Sequence, residues 1–195
     1  MKIITFNLRH DADRWEERFP LIVDELGAEG ADLVAFQEVA LPIRQAHLIG
    51  DSLRERGLDY EVKVAPKWTR PWMPAIFEGI LGQREGIGVL SRHPIRTYQR
   101  IVLPEGKRVA QHVQVEVEGK RVNVLNAHLH HKPLLDDVIR VRQMRAILDY
   151  IEKTGETGWL LMGDFNALPQ SEVLKLTEGC FQSAFESAGL AEPEY

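Results

Sequence analysis

Trp159-Leu160-Leu161-Met162-Gly163-Asp164-Phe165-Asn166 is an apolar run that ends in a carboxylate and a carboxamide. Its composition predicts a buried strand whose C-terminal end reaches solvent, and Asp164 and Asn166 then point to the same side if extended geometry continues. Two earlier segments repeat the design. Lys2-Ile3-Ile4-Thr5-Phe6 leads into Asn7, and Asp32-Leu33-Val34-Ala35-Phe36-Gln37 leads into Glu38. Three apolar strands that each deliver an oxygen donor at the C-terminal end point to one shared site.

A chain of 195 residues, 44% hydrophobic and 27% charged, fits one soluble domain with a substantial core. The net charge of -5 and pI near 5.8 give no global basic footprint, so a phosphate-bearing substrate has to be attracted locally. The single cysteine, Cys180, excludes an intrachain disulfide and a multi-cysteine zinc site, and is expected to be a structural residue. The N-terminal segment reads as a strand running into Asn7 and Arg9, and no run reaches membrane-spanning length. The expected setting is cytoplasmic.

Trp15, Phe19, Ile22, Val23 and Leu26 share one helical face, and Gly27 and Gly30 supply a stop before the strand at Asp32, which makes a βαβ opening. Pro42 is expected to begin a second helix carrying Ile43, Ala46, Ile49 and Leu53, followed by a strand with Tyr60, Val62 and Val64 alternating. From Pro66 to about Gln83, with Trp68, Trp72 and Phe77, the pattern is irregular; such a loop either lines a cleft or packs its own aromatics over the core. A strand Ile87-Gly88-Val89-Leu90-Ser91 closes at His93-Pro94. Val109, Val113, Val115 and Val117 mark another, which Glu118-Gly119 turns into Val122-Asn123-Val124-Leu125-Asn126. Val138, Val141, Met144, Leu148 and Ile151 define a further amphipathic helix, with Arg140, Arg142 and Arg145 on its solvated face. Helices on strand-rich, mixed sheets predict an α/β domain with α+β character, two-layered or sandwich-like.

Glu38 and Asp164 are hard oxygen donors of the kind magnesium takes, with Asn7 and Asn166 adding neutral polar groups. Neutral ligands leave the charge of such an ion available to polarise a phosphoryl oxygen. His128, in Asn126-Ala127-His128-Leu129, ends another Val-rich strand and suits contact with a phosphate oxygen or proton transfer. His130 and His131 form a short histidine group with Lys132, and the pair is read as incidental to metal binding.

Thr5-Phe6-Asn7-Leu8-Arg9, Gln37-Glu38-Val39, Gly86-Ile87-Gly88-Val89-Leu90-Ser91-Arg92, Asn126-Ala127-His128-Leu129 and Gly163-Asp164-Phe165-Asn166-Ala167 stand in an order that resembles the endonuclease/exonuclease/phosphatase superfamily, across nearly the whole chain. The resemblance implies a four-layer sandwich of two mixed β-sheets packed face to face with helices on the outer sides. It also implies magnesium-dependent hydrolysis of a phosphate ester by in-line attack of water, with Mn2+ as substitute ion. Glu38 then resembles the principal metal ligand, with Asn7 beside it at metal and phosphate. Asp164 resembles the residue that orients or deprotonates water, Asn166 the one that bonds the phosphoryl group, and His128 the histidine at the scissile phosphate or leaving group. Glu85 matches the glutamate that pairs with that histidine. Arg108 matches a position that either reaches substrate phosphate or forms a salt bridge on the sheet.

The family's closing Asp-His pair has no counterpart here, since no histidine follows Asp164. The expectation is a single domain over 1–195, truncated at the C-terminus with its last strands missing, an exposed sheet edge and slow turnover. The alternatives are a catalytically silent binding module and a nuclease acting on DNA or RNA. The shared motifs do not choose between a small phosphodiester and a nucleic acid, although the acidic balance argues mildly against gripping long duplexes. No obligate protein partner is expected.

Overall fold

The computed structural model describes residues 1–67, 85–131 and 137–191. The irregular segment beyond Lys67 and the Lys132 position therefore lie outside the described residues. Two four-stranded sheets form the centre. In the first, β1 (Ile3–Asn7) runs parallel to β2 (Leu33–Ala40), which is antiparallel to β4 (Glu85–Ser91), itself antiparallel to β3 (Glu61–Pro66). In the second, β5 (Ile95–Val102), β6 (Val109–Val117) and β7 (Lys120–His128) form an antiparallel meander, and β8 (Trp159–Asp164) adds parallel to β7. Both sheets are mixed, as the family resemblance implied.

Three apolar clusters explain the layering. Leu33, Ala35 and Val89 of the first sheet meet Val113, Val115 and Val124 of the second in a layer between the sheets. On the outside of the first sheet, Val34, Phe36 and Leu90 pack against Ile22, Val23 and Leu26 of α1 (Trp15–Glu29) and Ile49 and Leu53 of α2 (Gln45–Glu55). On the outside of the second, Leu125 and Ala127 pack against Met144 and Ile147 of α3 (Val138–Thr154). Two single-turn helices, α4 (Glu172–Lys175) and α5 (Ala184–Ser187), follow β8. The layers run helix, sheet, sheet, helix. Strands buried on both faces read as continuous apolar runs, which is why β2 and β4 lack alternation.

Three sequence expectations change. The second helix begins at Gln45, not Pro42: residues 41–44 form a turn that ends in a left-handed Arg44 with φ 52. β5 was not foreseen, because it is an outer strand with mostly exposed side chains and only a weak apolar rhythm. Extended geometry also does not continue through Asn166, whose φ is 49. The β6–β7 hairpin does turn at Glu118 and Gly119, both with positive φ, as a tight reverse hairpin requires. Among the described residues no helix is long and apolar enough to cross a membrane.

Candidate active site

The C-terminal ends of β1, β2, β7 and β8 meet at one rim. Asn7 pairs in register with Gln37, the residue before Glu38, and His128 pairs with Asp164. The rim is closed across the sheets by Asn7 Nδ2, which donates to Asp164 Oδ2 at 2.9 Å, and by His128 Nε2, which faces Glu38 Oε1 at 3.8 Å. Deeper in, Asn126 staples the sheets: its Nδ2 donates to the carbonyls of Phe36 and Gly88 at 3.0 and 3.1 Å, and its Oδ1 accepts from Gln37 Nε2 at 2.8 Å.

Glu38 is not at the end of β2 but inside it. Pairing with β4 slips between Phe36 and Val39, so one extra residue is accommodated, and Glu38 takes φ 52. A bulge of this kind re-aims a side chain that a regular strand would direct elsewhere. Asp164 is set differently. The main-chain N–H of Asn166 donates to its Oδ1 at 3.0 Å, forming an Asx turn, while Asn166 Nδ2 donates to the Leu129 carbonyl at 3.1 Å. Asn166 thus braces Asp164 and the loop after β7, with its amide group already engaged.

His128 is 2% exposed and lies among cations. Arg108 Nη1 donates to His128 Nδ1 at 3.1 Å, and its Nη2 donates to His131 Nδ1 at 2.7 Å. Arginine has no acceptor, so His128 Nδ1 is the lone-pair nitrogen and Nε2 carries the proton of the neutral ring. Burial, with Arg108, Lys67 and His131 adding to it, pushes the His128 pKa down to about 2. At neutral pH the ring is a neutral donor. Its Nε2 has no hydrogen-bond partner among the described residues.

The Glu85 pairing implied by the family resemblance is not a direct contact here. Glu85 Oε1 stands 3.9 Å from His128 Nδ1, and Arg108 occupies that nitrogen instead. Glu85 bonds Lys67 closely and lies 3.4 Å from Arg108 Nη1. Arg108 is 4% exposed, and it bridges the histidines from beneath rather than lying on an open sheet face. Its own pKa is lowered by burial, against the pull of Glu85, Glu38 and Asp164. Lys67, directly after β3, was missed: a strand-end lysine carries no signal of what β4 will place beside it. Burial likewise lowers its pKa, opposed by Glu85.

Glu38, Glu85 and His128 bring one ligand atom each within 4.8 Å of one another. Glu85 is committed to two cations and His128 Nε2 is protonated, so Glu38 is the group in this set best disposed to a hard cation, with Asp164 and Asn7 along the same rim. Asn7 Oδ1 accepts from the Arg9 amide at 2.8 Å, which leaves it one lone pair. Three carboxylates, Glu38, Glu85 and Asp164, face two cationic side chains, Lys67 and Arg108. The unbalanced negative charge suits a divalent ion, and oxygen donors suit magnesium.

A profile of the Endonuclease/Exonuclease/phosphatase family matches residues 4–192. Over 176 residues the chain is 27% identical to Protein angel homolog 2 of Danio rerio, an alignment that covers 83% of this chain and 29% of that protein. The chain therefore spans less than a third of that relative. Among solved structures, the human Nocturnin catalytic domain with bound sulfate anion superposes with a TM-score of 0.79 at 24% identity, covering 100% of this chain and 76% of that one. ANGEL2, described as a 2',3'-cyclic phosphatase in complex with adenosine-2',3'-vanadate, gives 0.72 at 18% identity, covering 91% and 57%. A mannosyl-6-phosphatase of Bacteroides thetaiotaomicron gives 0.71 at 17%, covering 92% and 70%. Each of these structures shares the fold.

Proposed function

Because the chain belongs to the endonuclease/exonuclease/phosphatase family, we propose that it hydrolyses a phosphate ester, in the first instance a phosphodiester, with magnesium held at Glu38 and Asn7. A bound divalent ion supplies Lewis-acid polarisation of a phosphoryl oxygen, and Mn2+ shares the preference for oxygen donors. The remaining roles belong to the protein. Asp164 orients the attacking water and accepts its proton, with one oxygen held by Asn7 and the other by the Asn166 amide. Asn166 acts through that brace. His128 donates from Nε2 to a phosphoryl or leaving-group oxygen as a neutral ring, and Arg108 fixes its tautomer while adding positive charge behind the phosphate. Glu85 keeps Arg108 and Lys67 in place.

The observation that carries this reading is the buried Nε2 of His128, without a hydrogen-bond partner among the described residues, at the rim where Glu38 and Asp164 converge. A buried donor without a partner is costly, and a phosphate oxygen would satisfy it. The proposed unit is one domain over 1–195, and the proposed compartment is the cytoplasm, where a chain with the single cysteine Cys180 needs no disulfide. The adenosine-2',3'-vanadate in the ANGEL2 structure makes a cyclic phosphodiester the first substrate to try.

The test is a panel of bis(p-nitrophenyl) phosphate, p-nitrophenyl phosphate, adenosine 2',3'-cyclic phosphate and short RNA, each with Mg2+, with Mn2+ and with EDTA. Metal-dependent turnover that falls by about 10²–10⁴ in Asp164→Asn, the usual worth of a positioned proton acceptor, supports the proposal. Turnover indifferent to EDTA, to Glu38→Gln and to Asp164→Asn would overturn it.

A further inference from the structure

The metal reading of Glu38 requires its carboxylate to be held in a backbone conformation that side-chain-bearing residues avoid. At φ 52 its Cβ crowds the following carbonyl, and such a residue persists only where its surroundings over-determine it. The over-determination comes from one buried amide on another element. Gln45, the first residue of α2 and 0% exposed, accepts from the Ala40 N–H at Oε1 (2.7 Å) and donates from Nε2 to the His10 carbonyl (2.8 Å). The His10 N–H in turn donates to the Glu38 carbonyl at 2.9 Å. The ring is complete: Glu38, Val39 and Ala40 along β2, then Gln45, then His10, and back to Glu38.

His10 is itself left-handed, at φ 57. The segment around it is gathered by Arg18 of α1, whose guanidinium donates to the carbonyls of Leu8, His10, Ala12 and Asp13. Gln45 therefore joins the loop after β1 to the end of β2, bonding to Ala40 directly and reaching the Glu38 carbonyl through His10. An apolar side chain at this position would fill the space, leave the Ala40 N–H without the Gln45 acceptor and take one donor from the His10 carbonyl.

We propose that Gln45 is a positioning residue for Glu38: its side-chain amide, bridging Ala40 N–H and the His10 carbonyl, sets the direction of the Glu38 carboxylate and thereby the affinity of the site for a divalent cation. This rests on Glu38 being the cation ligand. Groups bonded directly to a ligand characteristically change metal affinity by about 10- to 100-fold, and Gln45 acts on Glu38 through His10 and Ala40.

The experiment measures Mn2+ binding by electron paramagnetic resonance on the whole chain, with wild type, Glu38→Gln, Gln45→Met, Gln45→Asn and the Glu38→Gln/Gln45→Met pair. All are compared at a temperature where urea titration shows each variant folded. Gln45→Met keeps length and removes both polar groups; Gln45→Asn keeps the chemistry and shortens the reach, and supplies the answer if the Met variant does not fold. The expected result is Mn2+ binding weakened about 10- to 100-fold in the Gln45 variants, with no further loss when Gln45→Met is added to Glu38→Gln. A residue that only stabilises the fold would move the urea midpoint and leave the dissociation constant alone. Binding within threefold of wild type in the Gln45 variants, alongside its loss in Glu38→Gln, overturns the role of Gln45 and leaves the metal reading standing. Wild-type affinity in Glu38→Gln overturns the metal reading and this proposal with it.

Discussion

Asn7 Nδ2 donates to Asp164 Oδ2 at 2.9 Å across a separation of 157 residues, joining the last residue of β1 in one sheet to the last residue of β8 in the other. The bond holds one carboxylate oxygen in place, which the water-orienting role proposed for Asp164 requires. Asp164→Ala is expected to lower turnover of a phosphodiester by about 10²–10⁴. Asn7→Ala, which leaves the carboxylate less constrained, is expected to cost about 10–100-fold. The double variant should be slower than Asp164→Ala alone but by less than the product of the two single losses, because Asn7 both holds Asp164 and is proposed as a magnesium ligand. Steady-state kinetics with Mg2+ check this. A multiplicative loss in the double variant would mean that Asn7 acts independently of Asp164.

Gly163 shows why the approach to that carboxylate tolerates no side chain. Its φ is 137, and a Cβ there would sit 1.9 Å from the Ala127 carbonyl oxygen on the paired strand. Gly163→Ala must push β8 from β7 and is expected to destabilise the fold by about 2–5 kcal/mol, strain and overpacking combined. Gly30→Ala is the control: φ is +54 with open space around it, so only the left-handed backbone cost of about 1–2 kcal/mol applies. Urea midpoints decide the matter; equal costs at the two glycines would contradict the clash.

The strand that carries Gly163 and Asp164 was legible because an apolar run that breaks abruptly into Asp and Asn fits a buried strand emerging at a polar rim, and β1 and β2 repeated the pattern. The same logic misplaced detail wherever long-range pairing decides. Nothing in Leu33–Ala40 marks the extra residue that turns Glu38, since the bulge exists only against Gly86 and Gly88 of β4. Arg108 was readable as a charged residue opening a strand, but its inward course depends on Glu85, His128 and His131 arriving from three other segments. β5 escaped because an outer strand buries too little to need alternation. Gln45 carries no signal in the sequence, because its partners, Ala40 and His10, come from two other segments.

A buried histidine away from the rim makes stability pH-dependent. His112, 4% exposed, donates from Nε2 to Asn123 Oδ1 at 3.1 Å and has its Nδ1 2.9 Å from the Tyr150 hydroxyl. Burial lowers its pKa below the usual 6.5, against the opposing hydrogen bond to Asn123. The unfolded chain takes up this proton first as pH falls. The stabilising contribution is therefore complete above about pH 6.5 and is lost on acidification toward the folded value, by at most about 1.4 kcal/mol per pH unit. Urea titrations at pH 7.5, 6.0 and 5.0 should show wild type losing stability faster than His112→Phe. Parallel profiles would show that His112 titrates alike in both states.

Asn126 carries the last prediction because it binds the two sheets directly beneath the rim. It is 0% exposed, and both hydrogens of its amide go to carbonyls of the opposite sheet, Phe36 and Gly88. Asn126→Asp changes almost no volume but replaces that double donor with a carboxylate facing two carbonyl oxygens. Only the Gln37 Nε2 contact, at 2.8 Å, still suits it. An uncompensated buried charge of this kind is expected to cost about 3–5 kcal/mol at pH 7.5. Its folded pKa must rise above the ordinary aspartate value, so the folded state takes up the proton first as pH falls. The difference from wild type should then narrow between neutral pH and about pH 4, since the protonated acid regains one donor. Losing this staple also removes the donor to the Phe36 carbonyl, at the start of the bulge that carries Glu38, so Mn2+ binding should weaken in the variant even under conditions where it is folded. A variant as stable as wild type at pH 7.5, or one whose deficit grows on acidification, would show that the Asn126 donors do not hold the sheets together.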